Sequence, residues 1–219
     1  MKDNMKIVVS SIESKLNENF FSDYKLIAVD TIAKYIMVIK KLEVSGVKRN
    51  LHSFEDNEAE KFIHKHYCEL VKSIKNDDVI QVFDAIRHSF ACYAYNGLHQ
   101  LYARQENEGW HPTVKLTEIL TPNDINSLDE TLELYRGCDI SEFENMNFGQ
   151  AWTTSLDVAK AFAYDHYSNQ IWFDKNKRVI LKTTYSREYV LFSDQTIEYE
   201  VVIDTSKLDA VLRVYPDRD

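Results

Sequence analysis

The sequence has few of the residues that interrupt regular structure, with five glycines and three prolines among 219 residues. Its three cysteines, Cys68, Cys92 and Cys138, form no CxxC pair. This odd, scattered set favours a reduced protein over a disulfide scaffold. No apolar stretch approaches the roughly 20 residues of a membrane-spanning helix, and the first residues lack the apolar run of a signal peptide. The sequence therefore predicts a folded cytoplasmic protein without membrane contact.

Motifs for several kinds of chemistry are also missing. The sequence contains no GxxxxGK, GxGxxG or GxSxG, so nothing indicates a P-loop, a Rossmann dinucleotide site or an α/β-hydrolase. His64, His66 and Cys68 lie close together, but positions 64 and 66 of a helix do not face each other. Because no second Cys/His cluster lies nearby, we expect a solvated helix face here and no metal site.

Charge is distributed unevenly along the chain, whose formal net charge is -9. Residues 1–105 carry 15 basic and 14 acidic side chains, whereas residues 106–219 carry 11 and 21. The acidic second part disfavours broad contact with a phosphate backbone.

The first hundred residues have apolar positions at helical spacing. The pattern predicts helices over residues 25–42, 58–74 and 79–103, with Ser53 as a plausible helix start followed by acidic residues. We therefore expect three or four packed helices in residues 1–105.

The pattern changes after residue 105, where a polar connector is followed by short β-rich runs. Strands are predicted over residues 132–135, 178–185, 197–203 and 208–215, and one helix over residues 156–164 with Ser155 as its cap. This order predicts an α+β fold, with an N-terminal helical region (1–105) and a β-rich core (106–219) in one compact domain.

Three short segments of the β-rich part carry residues suited to chemistry. The sequence Leu-Tyr-Arg-Gly places Arg136 at the predicted end of a strand, where a surface ion pair is the ordinary explanation. The hydroxyl cluster of residues 153–155 leads into a helix, where N-capping would explain it. In TIEYEVVI, Glu198 and Glu200 are two residues apart, so a strand would place both carboxylates on one face, roughly 7 Å apart.

In this order, Arg, hydroxyl cluster and Glu-x-Glu, the segments resemble the arginine-serine-glutamate class of ADP-ribosyltransferases over about residues 130–206. The resemblance implies an ADP-ribosyltransferase-like mixed β-sheet core preceded by a bundle of helices. It also implies NAD as a substrate, with no permanently bound cofactor and no metal.

The resemblance assigns catalytic roles to four residues. Glu200 would bond the ribose hydroxyl of NAD and supply an anion beside the positively charged transition state. Glu198 would orient or deprotonate the acceptor. Thr153, where the family usually has serine, would orient Glu200, and Arg136 would hold the phosphates of NAD.

Further positions complete the expected site. Gly137 would let its backbone meet the nicotinamide amide. The NAD-binding set implied by the resemblance is Tyr135, Arg136, Gly137, Thr153, Thr154 and Ser155, and the acceptor-facing aromatics are Phe192 and Tyr199.

The function implied is transfer of ADP-ribose from NAD to a macromolecule. Glu198 favours protein arginine as the acceptor, and an RNA or DNA base is the alternative within the same chemistry. A NAD glycohydrolase, in which water replaces the acceptor, and an inactive binding module of the same fold remain open. Phage proteins and toxins of defence or toxin-antitoxin systems fit this description, and the latter would have a neutralising antitoxin partner.

Overall fold

The computed structural model describes residues 5–45, 56–98, 110–170 and 173–214. The chain divides into two compact units, one formed by Ile7–Val114 and the other by Met1–Lys6 together with Lys115–Asp219. Helices dominate the first unit and a β-sheet dominates the second. The α+β class predicted from the sequence is therefore confirmed.

The helical unit contains the four first helices of the chain. Strand β1 (Met5–Val8) is followed by α1 (Glu13–Leu16), α2 (Lys25–Val44), α3 (Glu58–Leu70) and α4 (Asp77–Asn96). The helices expected over 25–42 and 58–74 are present, although α3 gives way to a 3₁₀ turn at Val71–Ser73. Residues 99–103, to which the third helix was expected to extend, lie outside the described residues.

The start of α3 differs from the predicted one. Ser53 lies outside the described residues, and the capping residue is Asn57, whose side chain accepts hydrogen bonds from the backbone N–H groups of Ala59 and Glu60. The Glu60 carboxylate accepts the N–H of Asn57 in return (2.9 Å). This reciprocal capping box satisfies donors that the first helical turn leaves unpaired.

Apolar side chains at helical spacing form the core of this unit. Tyr35 and Ile39 of α2, Ile63 of α3 and Phe90 of α4 are all buried. Burying each such side chain contributes roughly 1.5–3 kcal/mol to the free energy of folding.

The second unit is built on a six-stranded sheet. Its elements, with the short strand that precedes them, are β2 (Thr113–Leu116), β3 (Thr131–Asp139), α5 (Ile140–Glu144), β4 (Ala151–Thr153), α6 (Leu156–Tyr164), β5 (Arg178–Ser186), β6 (Val190–Asp194), β7 (Glu200–Ile203) and β8 (Val211–Val214). The strand order is β6-β7-β4-β3-β5-β8, and β1 and β2 form a separate two-stranded sheet. Every neighbouring pair in the six-stranded sheet is antiparallel. The expectation of a mixed sheet is therefore wrong for this sheet.

Several predicted element bounds need correction. Strand β3 continues to Asp139, because residues 131–139 pair without interruption with β5, so Arg136 does not lie at a strand end. Strand β7 begins at Glu200 and not at residue 197. Strands β4 and β6 were not predicted, whereas α6 with its Ser155 cap and the edge strand β8 are confirmed.

The two faces of the six-stranded sheet have different coverings. One face carries Leu134, Cys138, Trp152, Leu181 and Val201, which belong to the main hydrophobic core of this unit. On the other face, α6 packs through Ala159 and Ala163 against β3 and β5. Helix α6 therefore packs on the part of this second face formed by β3 and β5.

The described residues contain neither a membrane-spanning helix nor a cluster of potential metal ligands. No helix among them combines the length and apolar character needed to cross a membrane. Nowhere in the same residues do three or more His, Cys, Asp or Glu side chains converge as metal ligands would.

Candidate active site

One residue from each strand of the six-stranded sheet forms a continuous row on the face that α6 partly covers. The pairings join Asp194 to Glu200, Glu200 to Thr153, Thr153 to Tyr135, Tyr135 to Lys182 and Lys182 to Leu212. Directly paired residues of antiparallel strands project to the same face. We call this set the Glu200 row, and it brings together three of the predicted site residues, Glu200, Thr153 and Tyr135.

Glu200 is a carboxyl group of the row whose pKa is strongly raised. It is partly buried at the start of β7, and burial raises its pKa from 4.5 to about 8, with the negative charges of Glu198 and Asp194 adding to the effect. Near neutral pH this carboxyl therefore holds a proton in the free protein. A carboxyl poised in this way is typical of functional sites, where burial and like charges are brought together.

Glu198 lies near Glu200 but not as its neighbour along a strand. Residues 195–199 form a loop between β6 and β7, and Tyr199 has a φ of 50°. A left-handed residue between the two glutamates breaks the two-residue repeat of a strand. The prediction that one strand carries both carboxylates on one face is therefore wrong, although Glu198 still acts on the pKa of Glu200.

The 195–199 loop is held against β4 by three hydrogen bonds. The Thr153 hydroxyl donates to the carbonyl of Glu198 (2.8 Å), and the N–H of Thr154 donates to the carbonyl of Tyr199 (3.1 Å). The Thr154 hydroxyl is 3.1 Å from Oε1 of Gln195. These bonds account for the left-handed backbone of Tyr199, because they fix the carbonyl groups of both Glu198 and Tyr199.

Gln195 ties the same loop to its surroundings. Its side-chain amide donates to the Ser193 hydroxyl and to the carbonyl of Glu200 (both 3.1 Å), and its backbone N–H donates to the Asp124 carboxylate (2.8 Å). Gln195 thus links Glu200 to the loop that carries Glu198.

Thr153 has a different role from the expected one. Its single hydroxyl proton is used on the Glu198 carbonyl, and the hydroxyl oxygen accepts the N–H of Ser155 (3.0 Å). It therefore positions the loop and does not donate to the Glu200 carboxylate. Ser155 caps α6 by accepting the N–H of Val158, as expected.

Arg136 lies on the opposite face of the sheet from Glu200. It alternates with Tyr135 along β3 and shares the core face with Leu134 and Cys138. Its guanidinium donates to both carboxylate oxygens of Glu142 (2.9 and 2.7 Å) and to the Ala151 carbonyl (2.6 Å), and only 7% of its side chain is exposed. The structure therefore does not bring Arg136 together with Glu200.

Glu142 of α5 is the partner that neutralises this buried arginine. Burial alone would raise the pKa of Glu142, but the charge and hydrogen bonds of Arg136, with the N–H of Gly149, hold that pKa below its ordinary value. The pair is a buried, bidentate ion pair that connects β3, α5 and the segment before β4.

Gly137 serves the packing of α6. A Cβ at this position would lie 2.1 Å from the Ala159 carbonyl oxygen and 2.5 Å from the Ala163 backbone nitrogen. The absent side chain thus lets the helix backbone approach the sheet, so this space is not available to a nicotinamide amide.

Replacing Gly137 by alanine should destabilise the protein without a specific effect on a ligand. Since α6 must move away from β3, we expect a loss of about 1–3 kcal/mol in the free energy of unfolding, measurable as a fall in Tm. The substitution restricts the unfolded chain, which by itself would stabilise the protein. A variant with unchanged Tm and a weakened affinity for NAD would instead restore the predicted ligand role.

The two aromatic residues expected to face an acceptor behave differently. Phe192 lies within β6 and is only 7% exposed, so little of its side chain is accessible to an acceptor. Tyr199 is 45% exposed, and Ile197 on the same loop is 81% exposed. The exposed apolar surface of this loop is thus provided by Ile197 and Tyr199.

Sequence reasoning missed four residues that shape this region. Asp194, Gln195 and Lys182 lie in or beside the Glu200 row, and Glu142 holds Arg136. The alternation of Leu132, Leu134 and Arg136 was a usable signal, because it places the arginine on the apolar face of a longer strand. We find no comparable sequence signal for Gln195 or Glu142, whose roles depend on contacts distant in sequence.

A cleft of about 400 Å³ lies elsewhere, within the helical unit. Its walls are formed by Phe20, Asp78, Gln81, Val82, Ala85 and Trp110. None of the predicted site residues lines it.

Comparisons of the chain with known protein families, with curated proteins and with solved structures find no match.

Proposed function

We propose that this protein is a NAD-dependent mono-ADP-ribosyltransferase with an ADP-ribosyltransferase-like fold in its second unit. The observation that carries the proposal is the Glu200 carboxyl, partly buried beside Glu198 and aligned across the sheet with Thr153 and Tyr135. The order of the sequence segments that resemble the family adds support.

The proposed reaction places Glu200 beside the ribose attached to nicotinamide. The bond between the ribose C1′ and the nicotinamide nitrogen breaks, and nicotinamide leaves with the electron pair. The ribose becomes positively charged, and an ionised Glu200 stabilises this charge as it develops. The acceptor nucleophile then bonds to C1′ and loses its proton.

The state of Glu200 in the free protein fits this reaction. The nicotinamide ring of NAD is cationic, and an opposite charge at short range lowers the pKa of a carboxyl group. Binding of NAD would thus help Glu200 release its proton, so that the anion forms next to the bond that breaks.

Glu198 is the proposed base for the acceptor. It lies on the 195–199 loop with Ile197 and Tyr199, whose exposed side chains offer a contact surface for a macromolecule. We propose protein arginine as the acceptor, and a nucleic-acid base or water would use the same chemistry.

The second candidate function is a binding module of the same fold that does not cleave NAD. The specific observation in its favour is the ion pair between Arg136 and Glu142, which occupies the guanidinium that the family resemblance assigns to the phosphates.

Incubation of the purified chain with labelled NAD and cell lysate separates these functions. We expect label on protein, released by treatments that cleave arginine-linked ADP-ribose. Label on nucleic acid would identify a base as the acceptor, and free ADP-ribose alone would indicate a glycohydrolase. If NAD is not consumed, the remaining candidate function is the binding module.

Replacing Glu198 by glutamine should separate transfer from cleavage. We expect transfer to fall by about 10²-fold or more, because a general base typically contributes 10²–10⁴-fold, while NAD hydrolysis is retained. The kcat/KM of wild-type hydrolysis should rise with pH to a plateau above about pH 8, as Glu200 ionises. Since the variant removes one like charge, its rise should occur at lower pH. An unshifted profile would contradict the coupling of the two carboxyls.

A further inference from the structure

We infer that Lys182, and not Arg136, contacts the diphosphate of NAD; the inference rests on the proposed function. NAD carries two phosphates close to the ribose that Glu200 would contact. A basic side chain on the same face of the sheet is therefore needed. Arg136 projects from the opposite face and is enclosed by the core of the unit.

The Glu200 row places Lys182 on the required face. Glu200, Thr153, Tyr135 and Lys182 occupy four adjacent strands, paired in that order. With about 4.8 Å between neighbouring strands, the backbones of Glu200 and Lys182 are about 14 Å apart. The Lys182 ammonium lies over Tyr135 of the neighbouring strand, on the side of Glu200, so an extended dinucleotide lying along the row could contact both residues.

Tyr135 lies in the row between Glu200 and Lys182. Its ring lies under the Lys182 ammonium, with Nζ 5.7 Å from the ring centroid. Its hydroxyl donates to the carboxylate of Glu133, which also accepts a bond from Lys182. The ring also packs against the cluster of Ala159, Ala163 and Ile180, and its partly exposed surface next to the lysine is what a ribose or a base would contact.

Lys182 and Arg136 each form an ion pair with a glutamate, and the two pairs differ in how readily a phosphate could replace that glutamate. Lys182 contacts Glu133 at 2.6 Å, with side chains 35% and 54% exposed, whereas the corresponding values for Arg136 and Glu142 are 7% and 16%. An exposed pair of this kind is screened by water and contributes little. Breaking the buried pair would leave an uncompensated charge in the core.

Within the described strands, the other basic residue on this face is Arg178, and it already has hydrogen-bond partners. Arg178 is paired with Asp139 in the sheet and therefore shares the face of Lys182. It is buried, and it donates to the carbonyls of Ala163 and Phe162 near the end of α6. Its role is to cap that helix.

Kinetics of NAD cleavage test the assignment. Replacing Lys182 by alanine should raise the KM for NAD by about 10-fold to 100-fold, the value of one hydrogen bond to a charged group, with little change in kcat. Lys182→Arg should retain most of the affinity. Lys160→Ala is the matched control, because Lys160 is also an exposed lysine paired with a carboxylate, Asp157 at 3.4 Å, and it should have the wild-type KM.

Glu133 provides a change in the opposite direction. If a phosphate must displace the Glu133 carboxylate from Lys182, then Glu133→Gln should lower the KM for NAD. A purely structural role of the exposed pair would make both substitutions neutral or both harmful.

Calorimetric titration with ADP-ribose tests the contact independently of catalysis. We expect Lys182→Ala to weaken ADP-ribose binding by a similar factor, and Lys182→Gln serves as a second variant if the alanine variant folds poorly. Wild-type affinity for ADP-ribose in both variants would overturn the inference, even if NAD is cleaved. Absence of ADP-ribose binding by the wild-type protein would also overturn it. Lysine-dependent binding without NAD cleavage would retain the diphosphate site and reject only the proposed transferase.

Discussion

Glu200→Gln should strongly reduce NAD cleavage while making the folded protein more stable at alkaline pH. The loss of activity should be about 10²–10³-fold in kcat, since the variant cannot supply an anion to the transition state. Gln is close to Glu in shape, so the fold around β7 should be retained.

The gain in stability follows from the raised pKa of Glu200. The folded protein binds this proton more tightly than the unfolded chain does. The contribution of the protonated Glu200 to stability is therefore fully present below about pH 4.5 and is lost as pH rises through about 8. The glutamine variant does not ionise and avoids this loss. At pH 9 the free energy of unfolding of the variant should exceed that of the wild-type protein by about 3–5 kcal/mol, since one pKa unit corresponds to about 1.4 kcal/mol.

Chemical denaturation of both proteins at pH 5 and pH 9 measures this difference, and labelled NAD measures the activity. Glu188→Gln is the control, because Glu188 is an exposed carboxylate of the same unit, and it should change neither quantity. A Glu200→Gln variant with wild-type turnover would reject the proposed role of the carboxylate. A variant that is inactive and less stable at both pH values would indicate a structural role instead.

Arg136→Met should unfold the protein at a much lower temperature. It leaves the Glu142 carboxylate buried without its cation, a change that typically costs about 3–5 kcal/mol. For a chain of this size, such a loss lowers Tm by about 10 °C. Thermal unfolding followed by circular dichroism measures the effect.

The double variant Arg136→Met with Glu142→Leu is the matched control. It removes both charges and should recover more than half of the lost stability, because apolar groups of similar size can replace a buried ion pair. The lowered pKa of Glu142 adds a pH test: the pair stabilises the protein above about pH 4.5 and less so as pH falls. The double variant should lack this acid sensitivity. An Arg136→Met variant with normal Tm but a raised KM for NAD would instead show that the guanidinium binds the substrate.

Local sequence was sufficient for the longer helices and for parts of the sheet. The apolar spacing of α2 and the Ser155 cap of α6 depend on residues within a few positions of each other, and both predictions are confirmed. Composition and turn residues likewise separated a helical first part from a β-rich second part, which the structure divides after Val114.

The site itself was predicted only in part, because faces and loops depend on long-range pairing. Glu200, Thr153 and Tyr135 were identified from sequence, and the register of four strands aligns them with Lys182. Arg136 was assigned to the site by the family resemblance, and β3 was predicted to end just before it. Once the strand continues to Asp139, alternation directs that side chain into the core.

The sequence by itself determined the residue types available for chemistry, the α+β order of elements and the Ser155 cap of α6, since these depend on neighbouring residues. Only the tertiary structure decided which of those residues meet. Hydrogen bonds from Thr153 and Thr154, more than forty positions away, hold the 195–199 loop. They give Tyr199 a backbone that its β-rich sequence context disfavours, and they thereby bring Glu198 close to Glu200 without a shared strand. The physical reason is that pairing across a sheet selects a face and a register that no local propensity encodes.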